Sequence, residues 1–144
     1  MPEARSHIKQ ANRNKQAIDH LLTAQPSLPE WVTTAAFYKA VHLVEAAFAS
    51  DPDAPHSHTC EHGSRNATLC GARSYKNICK HYLHLYRASL IARYLEDHNG
   101  NEYRSFSDYM AFDLVKSEIL GHRLKQIEQG CKRKMPQKVK AALS

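Results

Sequence analysis

The chain has 144 residues, of which 42% are hydrophobic and 24% charged, the balance of one folded domain rather than of a disordered segment. At this length roughly 68–70% of the unfolded surface is buried on folding, so a core needs no disulfide or metal to hold it. Five glycines and six prolines are too few for a turn-rich sandwich or barrel. No apolar run approaches the ~18 residues of a membrane span, and the opening MPEARSHIKQ is too polar for a signal peptide, so a cytoplasmic protein with no membrane partner is expected. The net charge is +6; the end of the chain supplies five positive charges (Lys132, Arg133, Lys134, Lys138 and Lys140) and no acid, leaving the rest almost balanced. A second basic bias lies inside: from His62 to Leu95 there are six lysines and arginines and no Asp or Glu, which is where an anionic partner would bind.

Glycine and proline are widely spaced, and the long stretches between them read as an all-α bundle. Ile8, Ala11, Ile18, Leu21 and Leu22 recur at helical spacing and predict a first helix that ends before Gln25-Pro26. Ser27-Leu28-Pro29-Glu30 matches a capping box and opens an uninterrupted helix up to Ser50. Its apolar positions, among them Val32, Phe37, Val41, Val44 and Phe48, cover about half of the helix surface, too much for a surface helix, so it is expected at the centre. A polar loop follows from Asp51 to Gly71, with a short helix near 61 to 70. Ser74 is a candidate cap for a helix running to His98, with Asn99-Gly100 as its stop. A last helix starts near Ser105 or Ser107, turns Tyr109, Phe112, Ile119, Leu120, Leu124 and Ile127 inward, and frays near Gly130. Residues 1–130 thus form one bundle domain, and 131–144 a basic, flexible tail.

Four cysteines, at 60, 70, 79 and 131, form no CxxC pair, so reduced thiols are the default. His56, His58, Cys60 and His62 alternate along one segment. Such spacing suits zinc only if the loop wraps around it, so the segment is read as a polar histidine-rich loop, with no metal or cofactor required. Arg73, Lys76, Lys80, His84 and Arg87 step along one face of the helix after Ser74 as a basic stripe, whose bland reading is a solvated face. Arg93 falls on the opposite, core-facing side, where it either pairs with a carboxylate such as Glu45 or lines a polar pocket. Tyr38, His42 and Glu45 share a face of the central helix, a set suited to acid–base work or to a structural polar strip.

Three strings carry a resemblance: Trp31, Phe37, Tyr38, His42 and Glu45 as Trp-x5-Phe-Tyr-x3-His-x2-Glu; His62, Arg65 and Asn66 as His-x2-Arg-Asn; and Tyr82, Leu85, Ser89, Ala92, Arg93 and Tyr94. Over roughly residues 28 to 95 the chain resembles the HEPN superfamily of small helical bundles, in a bacterial branch. The resemblance implies an up-and-down bundle of four to five helices, often dimeric, that in many relatives binds RNA or cleaves it without metal in toxin and defence systems, beside an antitoxin-like partner protein. Relatives that cleave carry Arg-x4-6-His, the arginine holding phosphate and the histidine acting as acid or base. This chain departs from that pattern: Arg65-Asn66 opens it, but positions 70 to 72 are Cys-Gly-Ala, and Arg73 to His81 is one residue too long.

The expectation is therefore a homodimeric RNA- or nucleotide-binding domain. As a ribonuclease it would use His62 or His42 as acid–base, with Arg65 on the phosphate, and Asn66, Arg73, Lys76, Lys80, Arg87 and Arg93 as nucleic-acid contacts. The rival is a noncatalytic interaction module whose polar residues lock the bundle. Arg65, coming after a loop and a glycine, is expected to be partly exposed.

Overall fold

Apolar residues at helical spacing between widely separated breakers make most of this chain helical. The computed structural model describes residues 3–54, 59 and 61–144, and is 75% helical with no strand among them. Helix α1 (Ala4–Leu21) stops ahead of Gln25-Pro26 and turns Ile8, Ala11 and Ile18 onto α2 (Pro29–Ser50). Fourteen of the 22 residues of α2 are buried, which makes it the central helix, as its wide apolar surface predicted. The capping box does not form, because the cap falls one residue late, on Leu28. Pro29 then occupies the first helical position, where a missing N–H costs nothing.

The short helix is α3 (His62–Gly71), and a 3-10 turn over Arg73–Tyr75 leads into α4 (Lys76–Tyr94). Helix α4 ends four residues before the expected stop. Leu95 takes the left-handed conformation at φ 58° while its N–H still bonds Ile91 O. Asn99-Gly100 instead belongs to a tight loop built on Asp97, whose carboxylate accepts from the backbone N–H of Asn99 and Asn101, from Asn101 Nδ2 and from Arg87 Nε. These donors hold the Asp97 carboxyl well below the usual range, the Asn101 amide contributing most.

Ser105 caps α5 (Phe106–Tyr109) by accepting from the Asp108 N–H. After a break at Met110, α6 (Phe112–Leu114), a π-helical stretch over Val115–Leu124 and α7 (Lys125–Lys134) run on without interruption. The described residues thus hold more helical segments than the four to five expected, since the last helix is divided. It does not fray at Gly130. That glycine is buried where α7 meets α4, and a Cβ there would come within 2.6 Å of Ile78 Cγ1.

The end of the chain corrects the expectation of a flexible tail. Cys131, Met135 and Val139 are buried, α8 (Gln137–Lys140) lies on α1, and Asn12 both donates to Ala142 O and accepts from the Ser144 N–H. Met135, Val139 and Leu143 are spaced four apart between the lysines, and that apolar side seats the segment on the core. The default of reduced thiols is also corrected: Cys70 and Cys79 form a disulfide with Cα atoms 5.2 Å apart, joining the end of α3 to the start of α4. They are nine positions apart in sequence, and the turn between the helices brings them together. Cys131 is a buried thiol. No described helix is long and apolar enough to cross a membrane.

Candidate functional site

Three helices converge on Phe37. From α2 come Phe37, Tyr38, His42 and Glu45, from α3 His62 and Arg65, and from α4 Tyr82, Tyr86, Ser89 and Arg93. The His62 ring packs against Phe37, Tyr38 and Tyr86, with centroids 5.4, 6.4 and 5.8 Å away. The Arg93 guanidinium lies over the rings of Tyr94, Phe37 and Tyr38, at 5.1, 5.7 and 5.9 Å.

Arg65 is the residue whose setting differs most from expectation. It is 5% exposed, and its Nε lies 2.8 Å from Oε1 of Glu45, itself 1% exposed. Nη2 donates to Thr59 O at 3.0 Å, and the Thr59 N–H and hydroxyl both donate to the same Glu45 carboxylate. The expected exposure is therefore wrong: a buried anion on α2 draws the arginine inward, and together they fasten residue 59 and α3 to the central helix. Arg65 takes the carboxylate that Arg93 could have used. Among the described residues no carboxylate pairs with Arg93, which donates to Ser89 O, Ser89 Oγ and Tyr38 Oη.

Arg65 also sets the state of His62. Its Nη1 lies 3.1 Å from His62 Nδ1, and because a guanidinium has donors only, Nδ1 must accept and the imidazole proton sits on Nε2. Burial first, then the positive charges of Arg65 and Arg93, lower the basicity of His62, so the ring is neutral at pH 7. Neutral His62 thus offers Nε2–H as a donor and has no free lone pair to act as a base.

His42 is hydrogen-bonded towards α1 while still close enough to feel the charges of Arg65 and Glu45. Its Nδ1 lies 3.0 Å from Nδ1 of His7 on α1, one ring donating to the other, and burial, then His7 and Arg65, pull its pKa down to about 4. Asn66 follows Arg65 on α3, and its Oδ1 is buried with no hydrogen-bond partner among the described residues. It lines a cleft with Leu83, Tyr86 and His98 that continues past Leu83 to His84 and Arg87.

The basic stripe does not join the centre. Arg73, Lys76 and Lys80 are exposed, and Lys80 lies about 140° around α4 from Arg93. Arg87 is held by Asp97 at 3.0 Å and covers the Tyr109 ring. His56, His58 and Cys60 lie outside the described residues; among the described ones no group of three or more metal-capable side chains gathers. Sequence reasoning missed Thr59 and His7, which only long-range packing brings to the site. It also missed Asp97, although Asp97-His98-Asn99-Gly100 is a turn signature.

No family model, curated protein or solved structure matches this chain. Its function is therefore argued from the site itself.

Proposed function

We propose that the chain is an HEPN-like domain that binds RNA or a nucleotide, taking phosphate at Arg93 and His62. The observation that carries this reading is Arg93: a guanidinium without a carboxylate partner among the described residues, set in an aromatic box with the donor His62 beside it. Phosphate supplies the anion that Arg93 lacks and accepts from both side chains. Neutral His62 can share its Nε2–H in a hydrogen bond to a phosphate oxygen, but transferring that proton would leave an imidazolate, so in a cleavage reaction both the acid and the base would have to come from elsewhere. Arg65 is then a positioning residue, acting through His62.

A second reading has a specific observation in its favour. The Glu45–Arg65–Thr59 network is buried and mutually satisfied, which suits a noncatalytic module whose polar residues lock the bundle. Fluorescence anisotropy with a labelled RNA oligomer separates the two. Arg93→Ala and His62→Ala should each weaken binding at least fivefold while circular dichroism and melting stay near those of the parent. Unchanged affinity in both variants would leave the module as the better account.

A further inference from the structure

Arg93 has a second side. Trp31, in the first turn of α2, is 58% exposed, and Tyr94, the last residue of α4, is 65% exposed. Both adjoin Arg93: its guanidinium covers the Tyr94 ring at 5.1 Å, and Trp31 lines a cleft with Glu30, Thr34, Ala92 and Arg93. Among the described residues neither Trp31 nor Tyr94 packs against another aromatic ring, in contrast to Phe37, which has four such neighbours. Two exposed aromatic side chains thus adjoin an arginine that has no carboxylate partner among the described residues.

Resting on the reading above, we propose that Trp31, Arg93 and Tyr94 form a stacking platform for an unpaired nucleobase whose phosphate is held at Arg93 and His62. A nucleotide carries a flat aromatic face and an anion on one frame, and this surface places a π-face beside an unneutralised cation. Glu30 lines the same cleft as Trp31 and Arg93, and its carboxylate disfavours phosphate there, so the phosphate is assigned to Arg93 where it meets His62 and the base to the cleft with Trp31. In a duplex both faces of a base are already stacked, so the ligand is single-stranded.

Trp31 is the only tryptophan in the chain, so its emission reports the platform directly. The full chain is titrated with a single-stranded RNA oligomer, with an abasic ribose-phosphate oligomer of equal length, and with the duplex. The expected result is quenching by the single strand alone and affinity about tenfold weaker for the abasic oligomer. Trp31→Ala should lose about the same factor for the single strand and nothing for the abasic one, and Trp31→Phe should keep most of the affinity. If the parent binds all three equally, or Trp31→Ala weakens the abasic and natural strands alike, the platform is refuted while anion binding stands. Emission that shifts with protein concentration alone would place a second copy of the chain on this face and refute it as well. If no oligomer binds, both readings fail.

Discussion

At the scale of single residues, buried charges such as Glu45 and Arg65 hold the bundle, whereas the half-buried Arg93 has no carboxylate partner among the described residues. Arg65 meets the Glu45 carboxylate beside the two Thr59 donors, and removing it takes the guanidinium out of a buried ion pair. Arg65→Ala is expected to cost about 3–5 kcal/mol, read as a lower denaturant midpoint and a melting temperature lower by roughly 10 °C or more. Arg93→Ala should cost no more than about 1 kcal/mol, since it breaks no ion pair. A second expectation concerns His42. Folded, it takes up a proton only near pH 4, whereas unfolded it does so near its ordinary value of 6.5, so the unfolded chain binds more protons in between. Its contribution is complete above about pH 6.5 and is lost as pH falls towards 4, amounting to about 2 kcal/mol once partial solvent access is allowed for. Urea titrations from pH 7 to 4 should show that decline, and His42→Asn should flatten part of it.

At the scale of elements, α4 and α7 approach through Gly130, because only a residue without Cβ leaves room for Ile78. Gly130→Ala gains helix propensity, but it pushes a methyl into the stiff, β-branched part of Ile78. We expect a net loss of about 1–2 kcal/mol. In an Ile78→Ala background the same change should be neutral or stabilising, because the nearest remaining atom is Ile78 Cβ at 4.0 Å. A double-mutant cycle measured by thermal unfolding checks both statements; additive effects would mean that Ile78 is not what excludes a side chain there. The cysteine bridge acts between elements too, tying the helix that carries His62 and Arg65 to the one that carries Arg93.

At the scale of the whole molecule, the +6 charge is distributed over places with different roles. The exposed lysines of α4, the packed basic end of the chain and the Arg93 centre all contribute to the field, and among the described residues the centre sets a cation without a carboxylate partner beside a preset donor. Salt dependence tells them apart. For single-stranded RNA the double-logarithmic slope falls by about 0.7 for each phosphate that the protein no longer neutralises. Arg93→Ala should make the slope shallower by about that amount, whereas Lys80→Ala should leave it within error of the parent. The reverse pattern would transfer the interface to the basic stripe.

Much of this architecture was legible in the sequence, because a helix is a local structure. The apolar spacing of residues 29 to 50 and the sparse glycines and prolines were enough for an all-α bundle with α2 at its centre. The site was legible as a set of residue types but not as an arrangement. Which arginine meets Glu45, and so which is left for a ligand, depends on a pairing between residues 20 apart in the chain, and nothing in local spacing separates Arg65 from Arg93. The same holds for Cys70 with Cys79 and for the end of the chain on α1: each pairing is decided by how helices cross, since packing and desolvation act between neighbours in space.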